Sequence, residues 1–190
     1  MDRIYFRIFE KAKPLLKKGH RKDFLSHTEW VVKSMQLLLK KEKGDESILI
    51  PAAILHDVGW AKVPEKLQTA RDKNSQKKAL ELHLKYGSLM AKKILTDLAY
   101  PENKIRKIVS VILSHKFKNP HDQNKRLLID ADGLSDVFKE PFYQDVKQYK
   151  TTAKQNYDIR KKNKFYTLTA KTIFNRQLVD RKKEIGNLQN

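Results

Sequence analysis

The chain contains no cysteine, which excludes disulfides, thiolate metal ligands and a cysteine nucleophile, so any bound metal must be held by nitrogen and oxygen. Glycine and proline are scarce, six of each in 190 residues. That suits helices and leaves few of the turn residues that many short strands require. No stretch approaches the ~18 consecutive apolar residues of a membrane helix, and the opening Met1-Asp2-Arg3-Ile4-Tyr5 lacks an apolar leader core, so the expected address is the cytoplasm. Acid is scarce relative to base: 22 Asp and Glu stand against 41 Lys and Arg, a net charge of +19. Such an excess attracts polyanions, whether phosphate-bearing small molecules or nucleic acid. Pairs such as Lys40-Lys41, Lys77-Lys78 and Lys92-Lys93 are short, however, and read equally well as solvated helix faces.

What is present is helical patterning. A hydrophobic content of 39% is enough for one sizeable core. The expectation is an all-α chain forming a single domain over residues 1–190, with its core at about 20–140. An N-terminal helix at 3–18 and a basic helical region at 141–190 pack on that core. Ile4, Ile8, Ala12 and Leu15 share one face of the first helix, which Pro14 kinks or shortens. Asp23 is a suitable N-cap for a second helix carrying Phe24, His27, Val31 and Leu38 on one face, closed by Gly44. Residues 46–58 place Leu49, Ala52, Ala53 and His56 together and end at Gly59. Residues 60–75 read as a surface loop. A long helix at 76–98 aligns Leu80, His83, Gly87, Met90, Ala91 and Ile94, with Gly87 permitting close approach by another backbone. After Tyr100-Pro101, Ile105, Ile108, Ile112 and His115 repeat that pattern. Leu128, Ile129 and Asp132 begin a further helical run, and residues 140–190 suggest one or two outer helices.

Four of the six histidines thus fall on the inner faces of four successive helices. One histidine on an apolar face is usually a satisfied core residue. Four such faces, with Asp57 beside His56 at the end of an apolar helix and a carboxylate at Asp132, need a common cause. A buried carboxylate is costly unless it is paired or coordinated, so a cation is expected there. Imidazoles and carboxylates without thiolates suit iron and manganese foremost, with zinc, magnesium, nickel and cobalt also compatible.

The ordered set His27, His56-Asp57, His83, His115 and Asp132, with the phrase Ala53-Ile54-Leu55-His56-Asp57-Val58-Gly59, resembles the HD superfamily of metal-dependent phosphohydrolases. The resemblance spans roughly residues 24–138. His83 followed by Gly87 and Ala91, and Asp132 within Asp130-Ala131-Asp132-Gly133-Leu134, fit the same pattern. His121-Asp122 offers a second dipeptide, in an apparent loop. The resemblance implies an HD-type helical bundle. It further implies that His27, His56, Asp57 and Asp132 hold one divalent metal, and that Asp57 bridges to a second held by His83 and His115. Relatives with one histidine, the dipeptide and the last aspartate are mononuclear, so His83 and His115 favour two ions. Asp130 competes with Asp132 for the last position, and Asp132 is preferred because it directly follows the alanine.

The implied activity is cleavage of a phosphoester or phosphoanhydride, of a nucleotide by preference, with catalysis centred on His56 and Asp57. Metal-bound water has a depressed pKa, and the ions neutralise phosphoryl charge. Lys62, Arg71, Lys116 and Lys118 are candidates to grip phosphate oxygens. Val58-Gly59-Trp60 follows the dipeptide where cyclic-dinucleotide phosphodiesterases carry isoleucine-glycine-lysine, and their glycine-tyrosine-proline signature is absent, which disfavours that substrate. The separation of His27 from His56 resembles that in small enzymes cleaving dinucleoside tetraphosphates, but spacing transfers no substrate. Trp60 and residues 138–143 border the site without a specific role assigned.

Two rival readings remain. Some HD proteins with the same six ligands are di-iron oxygenases, and the ligands alone do not separate the two chemistries. Alternatively, the chain is a non-enzymatic nucleic-acid-binding module, since Arg160, Lys161, Lys162 and Lys164 flank Tyr157, Phe165 and Tyr166 in a mixture suited to phosphate contact and base stacking. A helix that turns its aromatics inward and its lysines outward would produce the same sequence.

Overall fold

The structure is a computed structural model that describes residues 2–20, 23–116 and 119–187. Among them are ten α-helices and no strand. Helix α1 (Arg3–Leu16) buries Tyr5, Ile8, Ala12 and Leu16. Pro14 stands so near its end that the helix runs on through it. Helix α2 (Phe24–Leu39) follows, then α3 (Glu46–Leu55), whose residues 48–55 are all buried. A helix apolar on every side belongs at the centre, and α3 is packed by α1, by α2, by α6 (Glu102–Ser114) and by α7 (Gln123–Ser135). Asp45 caps α3 by accepting from the Ser47 amide, so the central helix has a fixed start.

Residues 60–75 depart from the expected surface loop. They contain most of a 3-10 turn, Val58–Lys62, the short helix α4 (Glu65–Gln68) and the first turn of α5 (Lys73–Asp97). The 3-10 turn packs closely on α5, burying Val58 and Gly59. Helix α7 starts at Gln123, so Leu128, Ile129 and Asp132 lie inside it rather than at its beginning. His121-Asp122 sits at its N-terminus, where Asp122 caps the helix through the Lys125 amide. After α7 come three helices among the described residues, one more than expected: α8 (Lys139–Gln148), α9 (Ala153–Arg160) and α10 (Leu168–Asn187). Phe165 and Phe174 pack together against the core, with ring centroids 4.6 Å apart. No helix among the described residues is long and apolar enough to cross a membrane.

Candidate metal centre

Each of the four inner histidines arrives from a different helix. His27 lies in the first turn of α2 and His83 within α5, while His56 and His115 are the C-caps of α3 and α6. The last carbonyls of a helix lack intrahelical partners. His56 Nδ1 is 2.8 Å from the Ala53 carbonyl oxygen and His115 Nδ1 is 2.6 Å from that of Ile112. A proton on Nδ1 donates to these carbonyls and leaves Nε2 bare and turned inward, the state required of a metal ligand.

Asp57 is the shared element. Its Oδ2 lies 3.6 Å from His27 Nε2 and 3.3 Å from His56 Nε2, while its Oδ1 lies 3.5 Å from His83 Nε2 and 3.9 Å from His115 Nε2. One carboxylate therefore faces two histidine pairs with its two oxygens. Asp132 Oδ1 stands 3.1 Å from His27 Nε2 and 3.7 Å from His56 Nε2, on the first pair's side. His83 and His115 bring their Nε2 atoms within 3.3 Å of each other. Ligand atoms about 2 Å from one ion stand roughly 3 Å apart, so two ligand groups form, His27-His56-Asp57 and Asp57-His83-His115. His56 Nε2 and Asp57 Oδ1 are buried and make no hydrogen bond. Two orphaned polar atoms turned toward the same interior are what a coordinated cation would satisfy, so these residues fit divalent metal.

Burial would raise the Asp57 carboxyl, but neighbouring His56, with Lys116 and His83, outweighs it and holds Asp57 well below the usual range. Asp132 is held low in the same way, chiefly by Lys116. Burial lowers His83 to about 4 and His115 well below its ordinary value. His27 goes the other way: burial opposes its charge, yet hydrogen bonds to Asp132 and Asp136 push it up to about 10. The chain's own groups already favour ionised carboxylates and, in the second group, neutral imidazoles.

The HD domain profile matches residues 24–137, well over half of the chain. The chain belongs to the HD domain family. No curated protein and no solved structure matches it. HD domains are mostly metal-dependent phosphohydrolases, so membership points to metal-dependent hydrolysis as the general activity.

Within this HD domain the two competing aspartates have different surroundings. Asp132 faces the histidines. Asp130 is fully buried on the other side of α7, accepting from the amides of Tyr166 and Thr167 and from the Thr167 hydroxyl. A cavity of about 990 Å³ opens over the centre, with His27, Asp57, His115, Lys116 and Asp132 on its floor. Of the four candidate phosphate-gripping residues, Lys116 lines this cavity and pairs with Asp132 at 2.6 Å. Lys62 and Arg71 are exposed and outside its lining, and Lys118 lies outside the described residues. Trp60 does line it and stacks on His83, ring centroids 4.4 Å apart, whereas residues 138–143 do not.

Sequence reasoning gave no site role to Ser135 or Asp136, which touch His27, and set Arg160 among nucleic-acid-binding residues although it lines this cavity. The four-residue step from Asp132 to Asp136 was the available signal, because it places both on one helix face. Around Arg160 the aromatics turn inward and Lys161, Lys162 and Lys164 outward, the arrangement of a packed helix face and not of a stacking platform. Phe165 is buried, Tyr157 packs on the core, Tyr166 accepts from the Asn119 amide, and Arg160 is tied to Asp136 and Asp145.

Proposed function

We propose that this HD domain is a dinuclear metal-dependent phosphohydrolase acting on a phosphate-bearing small molecule, a nucleotide by preference, in the cytoplasm. The observation that carries this reading is the division of Asp57 between two histidine pairs, one oxygen to each. His27, His56, Asp57 and Asp132 would hold one ion, and Asp57, His83 and His115 the other. Iron or manganese is the preferred metal for this nitrogen and oxygen set, with zinc, magnesium, nickel and cobalt compatible. Two such ions supply an activated water and neutralise phosphoryl charge.

The chain's own residues supply binding and orientation. Asp132, paired with it at 2.6 Å, and Asp57 raise the pKa of solvent-reached Lys116 and keep it charged, so a cation stands in the cavity for a non-bridging phosphate oxygen. Lys164 extends the positive lining, and exposed Tyr149, with the amides of Gln148 and Asn163, offers stacking and hydrogen-bonding groups suited to a base.

The test pairs metal analysis of chelator-free protein with phosphate release from a nucleotide panel, for wild type and Asp57→Ala. Close to two ions per chain in the wild type, with at least a hundredfold loss of phosphate release in Asp57→Ala, supports the reading. No metal and no activity after adding iron or manganese overturns it, and oxygen consumption with retained iron would move it to the oxygenase class.

A further inference from the structure

His27 has a carboxylate facing each ring nitrogen, from consecutive turns of α7 and its C-cap, at ion-pair distance. Asp132 Oδ1 lies 3.1 Å from Nε2, and Asp136 Oδ1 lies 3.5 Å from Nδ1. Ser135 Oγ is 3.3 Å from the same Nδ1 and donates its own proton to the Asp132 carbonyl, so its lone pair is available to the ring. A proton on Nδ1 therefore has the Ser135 oxygen as its acceptor and the Asp136 carboxylate as a charged neighbour on the outer side, and Nε2 is left for the centre. Unlike His56 and His115, whose Nδ1 meets the carbonyl three residues back, His27 turns its Nδ1 to side chains of α7 and its C-cap. Setting its tautomer falls to Asp136 and Ser135.

Asp136 is fixed in turn from outside the stretch matched to the HD family. Its Oδ2 accepts from Arg160 Nη1 at 2.8 Å, and the other arm of that guanidinium, Nη2, pairs with Asp145. Asp145 is on α8 and Arg160 ends α9, both beyond residue 137. The whole path is shielded: side-chain exposure is 4% for His27, 14% for Asp136, 17% for Arg160 and 1% for Asp145. A planar guanidinium shared by two carboxylates has one geometry, and a carboxylate held that way presents its remaining oxygen in a fixed direction.

We infer that Arg160 and Asp136 are positioning residues for His27, so that the C-terminal helical segment sets a ligand of one of the two metal sites. The inference rests on the dinuclear reading above. The partner that orients a ligating histidine contributes roughly 10 to 100-fold in metal affinity. The contribution should be confined to the site containing His27, because His83 and His115 have no link to Asp136 among the described residues.

The experiment titrates metal-free full-length protein with manganese(II), following free metal by its electron paramagnetic resonance signal. Wild type, Arg160→Met, Arg160→Lys and Asp136→Asn are compared, and thermal midpoints are measured with and without metal. The expected result is two sites in the wild type and a 10 to 100-fold weakening of one site in Arg160→Met and Asp136→Asn. The second site is unchanged, and Arg160→Lys is partly restored. Two wild-type affinities in both Arg160→Met and Asp136→Asn, with midpoints lowered equally in the presence and absence of metal, would reduce Arg160 to a clasp between helices. Equal loss at both sites would likewise overturn the inference, as general loosening of the fold. Absence of metal from the wild type itself would strike the dinuclear reading instead.

Discussion

A histidine that carries a proton on its inward nitrogen has to release it before that nitrogen can bind an ion, and His27 is pushed upward, to about 10. At pH 7 the metal-free protein therefore holds His27 charged, while His83 at about 4 and His115 well below its usual value are already neutral. Filling the His27 site should expel about one proton from that ring at pH 7. Affinity should climb, and the released proton disappear, as the pH approaches 10. The sign for stability follows from the same raised value: charged His27 stabilises the metal-free fold fully below its ordinary 6.5, and this contribution is lost as pH rises through about 10. Titration calorimetry of metal loading in two buffers of different ionisation enthalpy measures the proton directly. Heats that do not depend on the buffer at pH 7 would show that the ring was neutral beforehand. The inward histidines themselves were legible as sequence, since helical spacing put them on apolar faces. Their unequal charge was not, because it depends on which carboxylates cross over from another helix.

Two glycines decide how closely the dipeptide turn can approach α5. A Cβ on Gly59 would come within 2.1 Å of the His83 carbonyl oxygen and 2.6 Å of the Gly87 amide nitrogen, both backbone atoms that cannot swing aside. A Cβ on Gly87 would meet nothing nearer than 3.7 Å, an ordinary contact. The tight crossing thus belongs to Gly59, although sequence reading placed the need at Gly87 and took Gly59 only as a helix exit. No glycine among the described residues has a positive φ, so steric closeness and not turn conformation requires it. Gly59→Ala should cost about 2 kcal/mol or more, as overpacking does, and should weaken metal binding by moving His83. Gly87→Ala should leave stability unchanged or raise it by about 0.5 to 1 kcal/mol through helix propensity. Chemical denaturation of the two variants checks the pair, and the reverse ranking would remove Gly59 from this role. The elements that sequence reading missed share a cause. The 3-10 turn, α4, α8 and α9 are ten residues or fewer, and their polar and basic residues hide what apolar period they have. Helices α3, α5 and α6, long or strongly apolar, were visible.

At the scale of the whole molecule, the charge excess hides a few acids that organise it. Like Asp136, Asp130 ties the C-terminal segment to the HD core, because its carboxylate receives two amides and a hydroxyl from Tyr166 and Thr167 just ahead of α10. Negative charge is favourable at a helix N-terminus, and Thr167 adds its own hydroxyl to the Ala170 amide, so the start of α10 is capped and anchored together. Burial raises the Asp130 carboxyl despite those three donors, which marks how dry the junction is. The two aspartates of Asp130-Ala131-Asp132 should therefore differ in metal stoichiometry. Asp130→Ala leaves the buried Thr167 amide and the part-buried Tyr166 amide without their acceptor and should cost about 2 to 4 kcal/mol, with metal stoichiometry near two. Asp132→Ala should lose the His27-side ion and should also lower the stability of the metal-free fold, because it takes the carboxylate partner from charged His27 and from Lys116. Denaturation curves and metal analysis on the two proteins settle the assignment together. If Asp130→Ala lost an ion while Asp132→Ala kept both, the roles would be exchanged, and α7 would have to be rotated from the face it presents to His27.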